Sequence, residues 1–342
     1  MGTVARADEL ARRFVAHLRT VLGEPRLELA GAPEVLTGGF DTEIVAVRLR
    51  SAPPPWMRPL VLRVLRAHHI PGMVLREQAV HNALADAGYP APRVLLATTD
   101  PAALGAAFLV MERVAGVPLI EANPLGMHRV LLDAQLRLHD VDPAPVVRAL
   151  GPAIAFDGYL ATLEERSLRA TLTGLAPAVR WLRARRPPAD VPPVICHGDL
   201  HPRNVLIDAG RLTGVLDWPN TVVAEPAFDV ASTRNILRLV PPAIASVPGP
   251  LRRLVRLGQP ILAWRYLAGY RRRRPVAAER LAYYEVAAAM RALVRVGESR
   301  RRAPGAPPPG PLDRSTYTTR LLGHVVRATG LDVTLPPPLD GS

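Results

Sequence analysis

The segment VICHGDLHPRNVLIDAGRLTGVLDW, residues 194–218, carries side chains whose types and spacing could do chemistry. Asp199 and Asn204 are five positions apart, and Asp217 follows Asn204 by thirteen positions. A hard cation such as Mg²⁺ prefers oxygen ligands, which the amide of Asn204 and the carboxylate of Asp217 can supply. Asp199 could accept the proton of a hydroxyl group that attacks phosphorus, a reaction that needs positioning and charge neutralisation above all. The segment therefore predicts a Mg²⁺-dependent phosphoryl-transfer site.

Two apolar strands are expected to hold these side chains in place. Residues 205–207 and 212–216 favour β-structure, and Asp208-Ala209-Gly210 between them is typical of a hairpin turn. A rigid hairpin would fix the separation between Asn204 and Asp217. The alternative is a turn whose Asp and Asn side chains cap a helix. The ordered spacing, together with both strands, favours the phosphoryl-transfer site.

The same segment resembles a known enzyme family. The pattern H-x-D-x-x-x-x-N followed by an acidic residue is that of the kinase catalytic loop. HGDLHPRNVL with VLDW resembles the aminoglycoside phosphotransferase and choline kinase group, small-molecule relatives of protein kinases. The resemblance implies that Asp199 is the catalytic base and that Asn204 and Asp217 hold Mg²⁺.

A second element, EPAFDVA at residues 225–231, resembles the family's downstream G-D-P-x-x-D-L-A motif. The resemblance implies that Asp229 braces the catalytic loop through backbone hydrogen bonds. It also implies that His197 packs beneath the metal-binding aspartate and takes no proton. Glu225, where the family usually has Asp, is a conservative departure.

The N-terminal half has features of a nucleotide site. LTGGFDTEIVAVRL is compatible with a hairpin in which Gly38, Gly39 and Phe40 cover the phosphates, although it is not a full G-x-G-x-x-G motif. Kinases place a lysine on the third strand, whereas VLRV has Arg63 there. Arginine keeps the charge and can hold two phosphate oxygens, and Glu77 is its expected helix partner.

FLVMERVAG, residues 108–116, falls where the family joins its two lobes. The resemblance implies that Met111 backs the adenine pocket. It further implies that the carbonyl of Glu112 and the amide of Val114 bind the base edge. As a bare sequence, this stretch predicts a strand that leads into a turn.

The fold expected from these patterns is α+β and bilobal, similar to protein kinases. A leading helix (6–22) and a β-β-β-α-β-β order predict an antiparallel sheet with one packed helix, residues 73–87. We assign residues 1–114 to a nucleotide-binding lobe and residues 115–342 to a mostly helical catalytic and acceptor-binding lobe. The helices predicted for the second lobe are 124–140, two within 155–186, 226–240, 250–272, 276–297 and 314–328.

Composition limits the other classes of function. The 342 residues carry a formal charge of +13 and every basic side chain other than histidine is arginine. A basic protein attracts anions, but no zinc spacing or aromatic-interleaved basic segment supports nucleic-acid binding, so a solvated basic surface is the favoured interpretation. No apolar run is long enough to span a membrane, and the N-terminus has charges where a signal peptide is apolar. Together with a lone cysteine, Cys196, these features predict a cytoplasmic protein that has no membrane partner.

The expected acceptor is a hydroxylated small molecule. Residues 231–342 contain six acidic residues and nineteen arginines, a balance that argues against a highly cationic antibiotic. Arg271–Arg274 form either a solvated helix end or a site for an anionic substrate. Five aromatic residues on the predicted helices could line an acceptor pocket or belong to the core: Trp264, Tyr266, Tyr270, Tyr283 and Tyr284.

The sequence thus predicts an ATP-dependent phosphotransferase, with GTP as an alternative nucleotide, that moves the γ-phosphate to a hydroxyl group. A protein kinase is disfavoured because no DFG or APE segment or peptide-docking loop lies between Asp217 and Glu225. A non-catalytic, kinase-like binding or regulatory protein is the alternative from a different class, and the missing lysine is the one feature in its favour.

Overall fold

A computed structural model describes residues 3–36, 42–66, 70–122, 126–240, 249–303 and 316–337. The chain forms two compact units. The first comprises Met1–Gly116 with Thr213–Pro219, and the second comprises Val117–Leu212 with Asn220–Ser342. The segment that contains Asp217 thus returns to the first unit, whereas the sequence analysis assigned it to the second lobe. The nucleotide-binding and acceptor-binding roles of the two units stay predictions.

The helices of the described residues follow the chain in this order: α1 (Thr3–Leu22), α2 (Met73–Asp86), α3 (Leu119–Ala122), α4 (Met127–His139), α5 (Ala144–Leu150), α6 (Phe156–Arg169), α7 (Ala176–Ala184), α8 (Pro226–Leu239), α9 (Gly249–Arg273), α10 (Ala278–Arg301) and α11 (Thr316–Thr329).

The strands are β1 (Glu28–Leu29), β2 (Glu34–Val35), β3 (Thr42–Val47), β4 (Leu49–Arg50), β5 (Leu60–Leu65), β6 (Val94–Thr98), β7 (Phe108–Glu112), β8 (Val117–Pro118), β9 (Val194–Cys196), β10 (Val205–Asp208), β11 (Arg211–Val215) and β12 (Val222–Ala224).

The first unit is built on an antiparallel five-stranded sheet of order β2-β3-β5-β7-β6. Strand β5 lies at its centre, where Arg63 pairs with Ile44 of β3 on one side and with Leu109 of β7 on the other. Successive side chains of a strand point to opposite faces, so the apolar runs of β5 and β7 must be covered on both faces.

Helices α1 and α2 cover the two faces of this sheet. Helix α1 repeats apolar residues at helical spacing and buries Leu10, Phe14 and Leu18 against the face that includes Leu62 and Val110. Helix α2 places Val74 in the second core cluster, which includes Leu65, Leu109 and Met111. The leading helix is therefore a structural part of the first unit.

The second unit holds the loop that contains Asp199 and Asn204 on short strands and buried helices. Strand β9 pairs antiparallel with β12, and β10 pairs antiparallel with β8. The rings of Phe156, Phe228 and Tyr284, on α6, α8 and α10, pack against one another with centroids 5.0 to 6.0 Å apart. Such aromatic contacts add stability beyond the area that they bury.

The α+β class and the order of the long elements are confirmed. Strands β9 and β12 are three residues each, and the sequence analysis assigned neither of them, nor α5. Short strands of this kind are stabilised by tertiary contacts and leave little periodicity in the sequence. Among the described residues, no helix combines the length and apolarity that crossing a membrane requires.

We expect Phe14→Ala to destabilise the first unit strongly, because the ring is fully buried between α1 and the sheet. Loss of a buried Phe side chain costs about 3–5 kcal/mol in free energy of unfolding. Val21→Ala is the matched control, since Val21 lies on the same helix but is 50% exposed. Urea unfolding measures both variants, and equal effects would contradict the packing of α1 on the sheet.

Candidate active site

Three charged side chains meet in the first unit. Arg63 projects from β5, Glu77 lies on α2, and Asp217 belongs to the segment that returns to this unit. One terminal nitrogen of Arg63 lies 2.5 Å from Oε2 of Glu77, and the other lies 3.3 Å from Oδ1 of Asp217. A guanidinium group can bridge two carboxylates in this way because its nitrogens form a planar fork. The predicted Arg63–Glu77 contact is present.

Burial sets the electrostatics of this triad. The Glu77 side chain is fully buried, Arg63 is 13% exposed and Asp217 is 40% exposed. Burial raises the pKa of Glu77 to about 7; the positive charge of Arg63 opposes this rise and the negative charge of Asp217 adds to it. Oε1 of Glu77 is buried and has no hydrogen-bond partner within the described part of the chain. Glu77 therefore depends on Arg63 for compensation of its charge.

The backbone at Asp217 is in the left-handed region, with φ of 69°. A non-glycine residue is uncommon there, and such positions concentrate at functional sites. Neighbouring contacts hold the conformation: the Trp218 indole N–H donates to the carbonyl of Val215 at 2.9 Å, and its ring meets Tyr89 edge-on at 5.8 Å. The amide of Val215 donates to the carbonyl of Pro90 at 2.7 Å. These contacts of the neighbouring residues fix the backbone at Asp217, from which its carboxylate projects.

We expect Arg63→Met to destabilise the protein by about 3–5 kcal/mol, because it leaves Glu77 as an uncompensated buried carboxylate. The double variant Arg63→Met/Glu77→Met removes both charges and should recover most of that loss. Chemical denaturation of both variants and of Glu77→Met gives the double-mutant cycle. If the double variant is as unstable as Arg63→Met, the two charges are not coupled as the contact indicates.

In the second unit, the loop that contains Asp199 and Asn204 begins where β9 ends. Cys196 closes the strand, so His197, Gly198 and Asp199 follow immediately in a loop. The backbone N–H of Asp199 donates to Nδ1 of His197 at 3.2 Å, and His197 is fully buried. The amide nitrogen of Asn204 donates to the carbonyl of Asp199 at 3.1 Å. The loop therefore closes on itself and leaves the Asp199 carboxylate 28% exposed.

Asp229 supports this loop from below. It lies in the first turn of α8, directly after β12, and its Oδ1 accepts the backbone N–H of Gly198 at 2.8 Å. Its Oδ2 lies 3.1 Å from Nε2 of His139, whose Nδ1 lies 2.7 Å from the Tyr270 hydroxyl. Burial alone would raise the pKa of Asp229, but His139, Gln135 and the Gly198 amide together lower it. This is the backbone contact that the resemblance implied for Asp229.

Arg291 is a site residue that the sequence analysis missed. It projects from α10, and its terminal nitrogen Nη2 donates to the carbonyl of Gly198 at 2.6 Å and lies 3.7 Å from Oδ1 of Asp199. It is separated from Gly198 by 93 positions and lies in an ordinary amphipathic helix, so no local signal marks it. Arg291 places a positive charge beside the candidate base.

Gly198 is required by two constraints. Its φ is +74°, and a Cβ atom would lie 2.5 Å from the backbone oxygen of Asn220 and 3.2 Å from Nη1 of Arg291. Gly210 has a similar φ of +78°, yet a Cβ there would meet no atom within 4 Å. Both glycines have a positive φ, but only Gly198 has atoms close to the position of a Cβ. Alanine substitution at both positions therefore distinguishes the cost of backbone strain from the cost of a steric clash.

We expect Gly210→Ala to cost about 1–2 kcal/mol in stability, the cost of an L-residue in the left-handed region. Gly198→Ala should cost clearly more and impair any activity, because the loop must shift away from Asn220. Thermal unfolding of both variants tests this. Equal losses at the two glycines would show that the close approach to Asn220 is unimportant.

The remaining predicted residues are placed as follows. Gly38, Gly39 and Phe40 lie outside the described residues. Met111 is buried at the end of β7, and the Glu112 side chain forms an ion pair with Arg58 at 2.6 Å. Val114 is half-buried beyond the strand. The adenine contacts assigned to Met111, Glu112 and Val114 stay predictions.

The aromatic residues of the second unit divide between core and surface. The four tyrosines belong to the buried core, whereas Trp264 is 66% exposed. Ring burial raises the pKa of Tyr270 and Tyr284 beyond the ordinary range of a phenol. The core interpretation, which the sequence left open, therefore holds for these tyrosines: Tyr266, Tyr270, Tyr283 and Tyr284.

Each unit contains one of the two predicted metal ligands, whose side chains have oxygen atoms of the kind that Mg²⁺ accepts. Asn204 directs its amide nitrogen to the loop, which leaves Oδ1 as an oxygen donor, and the Asp217 carboxylate is partly exposed. Oxygen donors of this kind are those that Mg²⁺ accepts. Within the described ranges, no group of three or more His, Cys, Asp or Glu side chains could hold a metal ion by itself. Protein sites for Mg²⁺ commonly use one or two side chains together with substrate phosphates.

The fold and these residues define a kinase-like class of protein, and comparison with known proteins agrees. The sequence profile described as "Phosphotransferase enzyme family" matches residues 34–245, more than half of the chain. The chain therefore belongs to this phosphotransferase family.

Two groups of relatives illustrate the similarity. The aminoglycoside 3'-phosphotransferase of Streptomyces fradiae is 33% identical over 166 residues, which span 44% of this chain and 60% of that protein. Acyl-CoA dehydrogenase family member 11 of Gallus gallus is 29% identical over 179 residues, which span 46% of this chain and 22% of that protein. The chain thus aligns with less than two thirds of each of these relatives.

Solved structures show the same fold. A thermostable mutant of aminoglycoside phosphotransferase APH(4)-Ia, in ternary complex with AMP-PNP and hygromycin B, superposes with a TM-score of 0.61 at 18% identity, covering 93% of this chain and 99% of that one. A Plasmodium vivax ethanolamine kinase superposes with a TM-score of 0.57 at 13% identity, covering 93% and 87%. The kinase-like α+β fold predicted from the sequence is confirmed.

Proposed function

We propose that this protein is an ATP-dependent phosphotransferase that moves the γ-phosphoryl group of ATP to a hydroxyl group of a small molecule. The observation that carries the proposal is the catalytic loop, in which a partly exposed Asp199 carboxylate is held by contacts from Asp229 and Asn204. The family match supports the same reaction class.

Asp199 acts as the base in this proposal. The acceptor oxygen attacks the γ-phosphorus, the bond between that phosphorus and the oxygen bridging it to ADP breaks, and Asp199 accepts the hydroxyl proton. A carboxylate is suited to this role because the proton needs removal only as the new bond forms. Arg291, whose Nη2 lies 3.7 Å from Oδ1 of Asp199, places a positive charge beside this base.

Asn204 and Asp217 would hold the metal. Mg²⁺, when bound, neutralises charge on the phosphates of ATP. Arg63 contacts Asp217 and Glu77 at once, so one terminal nitrogen can move from Asp217 to a phosphate oxygen when nucleotide binds. Gly38, Gly39 and Phe40 would cover the phosphates, and Met111, Glu112 and Val114 would contact the base. GTP is the alternative nucleotide.

A cytoplasmic location and a hydroxylated small-molecule acceptor belong to the same proposal.

A non-catalytic, kinase-like regulator is the competing proposal. Its one argument is the missing lysine, which the Arg63–Glu77 ion pair at 2.5 Å weakens because arginine makes the contact expected of lysine. The two proposals differ in whether phosphate is transferred.

Asp199→Asn should abolish transfer from Mg·ATP to a panel of hydroxylated small molecules while nucleotide binding persists, because only the proton acceptor is lost. Asp217→Ala should weaken Mg·ATP binding, since a metal ligand is lost. Asp208→Asn is the control: it makes the same chemical change at the exposed last residue of β10, and activity should be unchanged.

Calorimetric binding with and without Mg²⁺, together with release of ADP, measures these variants. The phosphotransferase proposal is wrong if the wild-type chain binds no nucleotide under any metal condition. If Asp199→Asn transfers phosphate as fast as Asp208→Asn, the role of Asp199 as the base is wrong. Binding without transfer to any acceptor, unaltered by Asp199→Asn, would favour the regulatory alternative.

A further inference from the structure

A concentration of positive charge lies in the second unit, apart from the catalytic loop. It consists of Arg234 and Arg238 on α8, Arg271 on α9, and His324 and Arg327 on α11, which we call the basic cluster. These side chains come from three helices that are distant in sequence. Their convergence is a property of the fold and not of a single arginine-rich run.

One carboxylate faces the basic cluster within the described residues. Glu285 of α10 accepts a hydrogen bond from Arg234, and its Oε2 lies 3.7 Å from Nε2 of His324. The side chains of Glu285, His324 and Arg234 are 7%, 12% and 23% exposed, so this part of the cluster is largely removed from water. Four guanidinium groups against one carboxylate leave an excess of positive charge.

The excess charge acts on the neighbouring groups. Burial first, and then the charges of Arg238, Arg327 and Arg234, lower the pKa of His324 to about 4. Burial, followed by Arg238 and Arg271, also lowers the pKa of Arg234. Among the described residues, no acceptor lies within hydrogen-bonding distance of the buried Nε of Arg234. The site has hydrogen-bond donors and positive potential, which are the requirements for binding an anion.

Helices α10 and α11 each carry a residue at the basic cluster and a residue near Asp199. Arg291, beside Asp199, is six residues after Glu285 on α10. Tyr317, whose pKa is raised to about 12 by burial and by the charge of Asp199, is seven residues before His324 on α11. At 1.5 Å per residue, the six-residue interval on α10 and the seven-residue interval on α11 correspond to roughly 9 and 10 Å along the helix axes. These intervals separate Glu285 and His324 from the residues beside Asp199.

We propose that the acceptor is a hydroxylated compound with an anionic group, a phosphate, sulfate or carboxylate, roughly 10 Å from the reacting hydroxyl, and that the basic cluster binds this group. The inference rests on the proposed phosphotransferase function and adds the chemical class of the acceptor. With its anionic group on α8 and α11, the acceptor would present its hydroxyl to Asp199. A polycationic acceptor would be repelled by the same charges.

The first experiment tests anion binding in the full chain. Thermal unfolding is followed in sodium sulfate and in sodium chloride of equal ionic strength, with saturating Mg·AMP-PNP so that the nucleotide site is filled. The test variant is Arg238→Gln/Arg327→Gln, two exposed side chains of the cluster. Arg320→Gln is the control because it removes the same charge from an exposed position on α11. Sulfate should stabilise wild type and the control more than the test variant.

The second experiment tests the acceptor. A series of ω-hydroxyalkyl phosphates, whose lengths bracket the inferred separation, is compared with the corresponding diols. The phosphates should have a kcat/KM about tenfold or more above that of the diols, the size expected for hydrogen bonds to a charged group. The advantage should disappear in Arg238→Gln/Arg327→Gln and persist in Arg320→Gln. Hygromycin B should be a poor acceptor.

The outcomes separate the two proposals. If Mg·AMP-PNP does not stabilise the wild-type chain, the phosphotransferase proposal fails and the assignment of the anion to an acceptor is overturned with it. If nucleotide stabilises but the three proteins respond equally to sulfate, the anion site alone is overturned. Sulfate binding at the cluster with equal use of phosphates and diols would overturn the assignment of that anion to the acceptor.

Discussion

The structure around the catalytic loop depends on one buried carboxylate. Asp229 is fully buried and accepts the backbone N–H of Gly198, so it fixes the backbone at the residue before Asp199. A buried carboxylate requires partners, because an unpaired charge inside a protein is very costly. His139 supplies one partner, and Tyr270 in turn contacts His139. The position of Asp199 is therefore determined by a polar network on α4, α8 and α9.

A second buried carboxylate plays a comparable role in the first unit. Glu77 is fully buried, and Arg63 compensates its charge while reaching Asp217 with its other terminal nitrogen. A lysine offers one ammonium point charge, whereas a guanidinium fork can bridge two carboxylates with defined geometry. The absence of lysine from the whole sequence does not disable this position. It changes the contact from a single ion pair into a bridge that includes the candidate metal ligand.

Features that depend on a local sequence pattern could be predicted from the sequence. Features that depend on contacts between distant residues could not. Long amphipathic elements such as α1 and β5 were predictable because burial repeats at 3.6 or 2 residues. The family was recognisable from the spacing of Asp199, Asn204 and Asp217, because chemistry restricts the residue type at each position. The roles of these three residues stay predictions. Arg291 was not predictable, since an arginine on a helix carries no sign that it will meet a loop 93 positions away. The left-handed φ of Asp217 was equally invisible, because Asp tolerates many conformations.

The arginine side chains of the second unit carry positive charge that is not lost by deprotonation at neutral pH. A buried lysine can lose its proton, whereas a guanidinium group stays protonated at neutral pH even when burial lowers its pKa. Arg234 and Arg291 are each largely buried, and each has a buried nitrogen without a hydrogen-bond acceptor among the described residues. Each guanidinium group also faces one carboxylate, Glu285 for Arg234 and Asp199 for Arg291. A chain that uses arginine alone, with few acidic residues after position 231, is chemically suited to acceptors that bring negative charge to the site.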